Sequence, residues 1–165
     1  MKRAVALLAL GIVVVAGWSW LRSDRPRIER TLARLERACT KEGPESPLAL
    51  LGRTETILDA FAPGFLVLAR PYEGSISDGR ELAGAIHRYR ALAQRVRVRD
   101  AERKLEVSAN GTAEMSVVFL VDGDRGGRPG AERFRARLFW VEHEGEWRIR
   151  EFEIVEVLDR SGLFL

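Results

Sequence analysis

The chain has 165 residues, 46% of them hydrophobic, and 27 Lys and Arg against 24 Asp and Glu give a net charge of +3. Its single cysteine, Cys39, excludes an intramolecular disulfide, and one Cys with two distant His residues, His87 and His143, offers no set of metal ligands. The excess charge is small and almost wholly Arg, which reads as composition rather than as a nucleic-acid surface, so neither a nucleic acid nor a metal is expected as partner.

Lys2 and Arg3 precede 18 uncharged residues, 4–21, and Arg22 ends the run. As a helix this run is about 27 Å long, close to the ~30 Å hydrocarbon core of a bilayer. Trp18 and Trp20 stand where an interfacial aromatic belt would hold them. The expectation is a transmembrane signal anchor over residues 1–22. The alternative is a secretory signal cleaved after Val14-Val15-Ala16. The Arg residues at 22, 25, 27 and 30, taken literally, place the rest of the chain in the cytoplasm. The two-charge start directly before an apolar run has the form of an export signal instead. The expected arrangement is a single-pass membrane protein with its domain outside the cytoplasm.

Residues 23–27 read as a linker, 28–158 as one domain and 159–165 as a tail; about 140 residues suit one domain and not two. Ile28, Leu32, Leu35 and Cys39 recur at helical spacing. Ser46-Pro47 then forms an N-cap with proline at the first helical position. Leu48, Leu51, Ile57, Leu58 and Phe61 give this second helix an apolar face, and Ala62-Pro63-Gly64 ends it. Residues 65–69 form a short strand, and 70–77 a loop or edge strand. Asp78, with Glu81 three residues on, caps a third helix carrying Leu82, Ala85, Ile86, Tyr89, Leu92 and Ala93.

From Val96 the apolar period falls from near 3.6 to 2. Four long antiparallel strands follow, joined at Ser108-Ala109-Asn110-Gly111, at a flexible loop over residues 123–130, and at Glu144-Gly145. Asp100 breaks the alternation after Val98 and marks a bulge or bend. In the last strand the apolar phase moves from Trp147 and Ile149 to Phe152 and Ile154, then to Val155 and Val157. Each slip turns the side chains over, which predicts one or two bulges and a curved strand. Helices first and hairpin strands after give an α+β layout.

Two pieces carry a family resemblance: the helix entry Ile76-Ser77-Asp78-Gly79-Arg80-Glu81-Leu82 and the closing hairpin Gly145-Glu146-Trp147-Arg148-Ile149. In this order, over residues 26–158, they resemble the nuclear-transport-factor-2-like superfamily, which includes SnoaL-like and ketosteroid-isomerase-like proteins. The resemblance implies a cone: a curved sheet wrapped around about three helices, with an apolar pocket between them. It implies no activity, because that fold carries enzymes, binding modules and assembly parts.

The expected pocket lining is Ile86, Tyr89, Phe119, Leu138 and Trp140, with Tyr72 near the mouth and His87 beside it. His87 reads first as a packing residue and second as a catalytic one. The catalytic Tyr and Asp of the isomerases find no matching positions, and no phosphate loop or nucleophile elbow occurs. Arg133, Arg135 and Arg137 alternate on one strand. They offer a patch for an anionic partner, or a solvated face paired with Glu102, Glu106, Glu114, Glu151 and Glu153. The function expected is a membrane-anchored, non-catalytic domain without a cofactor. It binds a partner protein, a second copy through the sheet, or a small apolar ligand. The alternative is a membrane-tethered isomerase, dehydratase or cyclase-like enzyme using the same pocket.

Overall fold

The computed structural model describes residues 23–70, 73–125 and 127–160. The expected anchor and Tyr72 lie outside the described residues. Among the described residues no helix is long and apolar enough to cross a membrane. The elements are α1 (Asp24–Cys39), α2 (Pro47–Asp59), β1 (Phe61–Ala69), β2 (Gly74–Ile76), α3 (Gly79–Leu92), β3 (Ala93–Ser108), β4 (Thr112–Arg125), β5 (Arg128–His143) and β6 (Glu146–Arg160). One six-stranded sheet has the order β2-β1-β6-β5-β4-β3, with β1 parallel to β6 and every other pair antiparallel.

The helix entries follow the sequence. Ser46 accepts from the Ala49 N–H at 3.2 Å, and Asp78 from those of Arg80 and Glu81 at 2.9 and 3.1 Å. Helix α1 starts earlier than expected: Asp24 opens it, so most of the 23–27 linker is its first turn. Ile28, Leu32 and Leu35 of α1 are buried against Met115, Val117, Leu138, Trp140, Trp147 and Ile149 of the sheet. Burying such apolar side chains supplies the main stabilisation, about 1.5–3 kcal/mol each.

Three expectations need correction. Phe61 does not close the apolar face of α2 but opens β1, where it pairs with Ile149. The Ile149 N–H donates to the Ala60 carbonyl at 2.8 Å, so a parallel ladder takes the chain out of the helix one residue earlier. Leu48 and Leu51 are exposed, and the buried positions of α2 are Thr54 and Ile57. Residues 123–130 are not a loop in the main. The β4–β5 ladder continues through Gly123↔Gly130 and Asp124↔Pro129 to Arg125↔Arg128, so the glycines lengthen a hairpin.

Strand β6 slips phase as expected after Ile149, and more often than expected, with three register shifts against β5. Trp147 and Ile149 are buried, then Phe152 lies opposite Leu138, Ile154 opposite Ala136 and Val157 opposite Phe134. Val155 is the extra residue at the shift between Arg135 and Ala136 and is exposed, a correction to its expected phase with Val157. Directly paired residues of an antiparallel ladder share a face, so each extra residue bends the strand and keeps its apolar side on the core.

Candidate functional site

Helix α1 is held at both ends, which fixes everything it carries. At its start the Trp147 indole N–H donates to Asp24 at 3.0 Å, and Arg27 reaches Glu142 at 3.2 Å and the Gly145 carbonyl. At its end the Arg90 guanidinium, only 3% exposed, donates to the carbonyls of Ala38, Cys39 and Thr40 at 2.9–3.2 Å. The same group bonds Glu45 at 2.9 Å through Nε. Lys41 exchanges backbone hydrogen bonds with Val96, at 2.7 and 2.8 Å. Its ammonium donates to the Arg90 and Ala93 carbonyls at 2.7 and 2.6 Å. The C-terminal end of α1, the start of α2, α3 and the start of β3 are thereby one unit.

Inside this frame α1, α2, α3 and the sheet line a half-open cavity of about 210 Å³. Its walls are aromatic and aliphatic: Phe119, Phe134 and Phe152 on the sheet, Ile57 and Ile86 on the helices. Phe119 stacks on Phe152 with ring centroids 6.1 Å apart and tilts against Phe134 at 5.6 Å. Glu36, Cys39, Tyr89 and Arg90 bring the polar atoms. Arg90 is fully engaged by Glu45 and the helix-end carbonyls. Burial, above all, pushes the Cys39 thiol up to about 11, with the Arg90 charge opposing. That thiol is protonated at neutral pH and is no nucleophile. Burial also raises the Tyr89 phenol.

Glu36 differs from these. Burial and, after it, the Asp100 carboxylate push its carboxyl up to about 7, with Arg103 opposing. Asp100 reaches it because it keeps the inward phase of Val96 and Val98, just ahead of the bulge that the sequence marked. Asp100 lies opposite the inward-facing Phe119, and the β3–β4 register shifts only after it, between Asp100 and Glu102. Arg103 then pairs with Asp100 at 3.4 Å. Two carboxylates so placed resist ionising together.

The expected lining residues divide. Ile86, Tyr89 and Phe119 line the cavity. Leu138 and Trp140 do not: both are 0% exposed in the hydrophobic core. His87 is not in the lining either; its Nε2 lies 3.1 Å from Thr54 Oγ1 and ties α3 to α2. The sequence reading missed Glu36, Val98, Val121, Phe134 and Phe152. A signal for Glu36 was present: it stands four residues after Leu32 and three before Cys39, inside the apolar arc of α1. On the opposite face of the sheet Arg133 pairs with Glu102 at 3.0 Å, Arg135 with Glu156 at 2.6 Å and Arg137 with Glu153 at 2.9 Å. Each guanidinium of that row thus already faces a carboxylate.

No family model matches the sequence, and no curated protein matches it. Solved structures do match in fold. A nuclear-transport-factor-2-like protein with a cystatin-like fold from Novosphingobium aromaticivorans is 20% identical, with 92% of this chain and 95% of that one covered, at TM-score 0.64. A provisionally named scytalone dehydratase from the same organism is 11% identical, over 84% and 86% of the two chains, at TM-score 0.66. A Mycobacterium tuberculosis protein of unknown function is 13% identical, over 90% and 77%, at TM-score 0.65. Similarity at this identity reports the fold alone, and the fold is the nuclear-transport-factor-2-like α+β cone that the two sequence pieces implied.

Proposed function

We propose that the domain holds a small apolar ligand in the cavity between α1, α3 and the sheet. The observation that carries this reading is the cavity itself: about 210 Å³, walled by three Phe rings and five aliphatic side chains, beside the main hydrophobic core. It is smaller than the pockets that take drug-sized molecules. An apolar cavity of about 150 Å³ already accepts benzene, so a single substituted ring or a short acyl chain suits this one. Equilibrium dialysis with toluene tests the proposal. Saturable one-to-one binding is expected, and partition without saturation contradicts it.

A second reading, acid–base catalysis on the same ligand, is favoured by Glu36, since a carboxyl titrating near 7 is poised to give and take protons. Chemical recovery separates the two: binding returns the ligand unchanged, and catalysis on a monocyclic ketone or epoxide does not. The proposal also places the domain outside the cytoplasmic membrane, tethered by residues 4–21, on the support of the sequence. Retention in the membrane fraction through an alkaline wash is expected, and release into the soluble fraction contradicts the tether.

A further inference from the structure

We propose that residues 161–165 fold back over the open side of the cavity and seat the Phe164 ring in it, so that a ligand enters by displacing the chain's own side chain. This inference rests on the reading of the cavity as an apolar ligand site and adds its regulation. The segment, Ser161-Gly162-Leu163-Phe164-Leu165, lies outside the described residues and directly follows the end of β6. On the side toward that end the cavity lining is only half-buried: Ile86 and Tyr89 of α3 stand on one wall, Phe134 and Phe152 of the sheet on the other. The inner face of β6 continues the same apolar surface beyond the cavity. Ile154 and Val157, opposite Ala136 and Phe134, are also half-buried. Across the cavity Glu36, Cys39 and Val98 are half-buried too, but there hydrogen bonds from Thr40 to Val98 and between Lys41 and Val96 tie the end of α1 to β3.

The register brings the segment within reach. Arg160 forms the last rung of β6 opposite Glu132, and Glu132 stands opposite Val121 in the cavity wall. Two strand spacings make about 10 Å between the end of β6 and Val121. Five residues span up to about 17 Å, which covers that distance with length to spare for a reversal. Gly162 permits the reversal, since it takes left-handed backbone conformations at no steric cost. Leu163 then covers Val157, and Phe164 reaches the gap between Phe134 and α3. Size agrees as well. An apolar cavity of about 150 Å³ already accepts one benzene ring, and Phe164 is the single ring of the segment. A side chain tethered by so few residues competes at an effective concentration in the millimolar range.

Isoleucine methyl NMR of the full chain and of a chain ending at Arg160 tests the inference, with toluene as the probe. Removing residues 161–165 is expected to shift the Ile86 methyl signal before any toluene is added, while Ile28 and Ile149 stay in place and report an unchanged core. Toluene affinity, read from Ile86, should then rise about tenfold, the effect of freeing a site that is open in about one molecule in ten. Phe164→Ser, which keeps the chain length, should reproduce both changes. If truncation leaves either the Ile86 signal or the toluene affinity as it was, or if Phe164→Ser behaves as the wild type, the inference is overturned and the ligand cavity stands. A difference that grows with protein concentration would assign the ring to a second copy and overturn it too. If toluene binds neither the full nor the shortened chain, the cavity reading itself fails and takes the inference with it.

Discussion

Trp140→Ala lowers the free energy of unfolding by about 3–5 kcal/mol, the range for large aromatic side chains removed from a sealed core. Trp140 is 0% exposed and is the largest of the fully buried side chains. On the inner face of β5 it lies between Ala113 of β4 and Ile149 of β6, its direct partners in the two ladders. One partner is a single methyl group, so the indole fills space that no neighbour can reach. On the helix side α1 is fixed by its bonds to Trp147, Glu142 and Gly145, and it cannot settle into the void. Trp140→Phe keeps most of the volume and costs less than the alanine change. Urea unfolding of the three chains measures both, and a loss under about 1 kcal/mol for alanine would contradict the sealed core.

Arg90→Met costs about 3–5 kcal/mol by a different route, because it takes the donor from three helix-end carbonyls and leaves the largely buried Glu45 carboxylate with Arg53, at 3.0 Å, in place of two guanidinium partners. The Arg90 guanidinium is the first cause holding the Glu45 carboxyl below the usual carboxylate range. It is also the donor for three carbonyls at the end of α1, groups a helix cannot satisfy itself. Glu45→Gln is milder, since the carbonyls keep their donor. Combining Glu45→Leu with Arg90→Met recovers part of the loss by removing the under-paired charge. Arg90 adjoins Tyr89 in the cavity wall, so Arg90→Met also weakens toluene binding beyond what the stability change explains. Denaturant titration of the two single variants and the double variant reads the coupling; simple additivity would mean that Arg90 and Glu45 act independently.

The sequence revealed those elements that local chemistry decides. Asp78 and Ser46 cap helices because an N-cap needs only its own side chain and the next turn. The bulges of β6 were legible because an apolar phase slip in a half-buried strand has no other physical outcome. Phe61 was misread because its four-residue spacing from Ile57 is helical, and the pairing that overrides it comes from Ile149, far along the chain. The Gly and Arg content of residues 123–130 suggested a loop, and only the partner strand turns it into ladder.

The site was less legible, for a related reason. Alternation put Phe119, Leu138 and Trp140 on the inner face of the sheet, but it does not say which stretch of that face lies under packed helix and which under a gap. Leu138 and Trp140 are sealed in the core cluster with Ile28 and Leu32 of α1, whereas Phe119 and Phe134 line the cavity. Asp100 was seen as a break in pattern. Its meeting with Glu36 depends on the β3–β4 register, which no local signal supplies.

The central claim, that the cavity is a ligand site, is tested most directly by methyl-resolved NMR of the isoleucines during a toluene titration. Ile57 and Ile86 line the cavity, while Ile28 and Ile149 are fully buried in the core away from it. Saturable shifts of the Ile57 and Ile86 methyl signals, with Ile28 and Ile149 unmoved, are the predicted result. Shifts of equal size at all four, or none at Ile57 and Ile86 at toluene saturation, would contradict the claim.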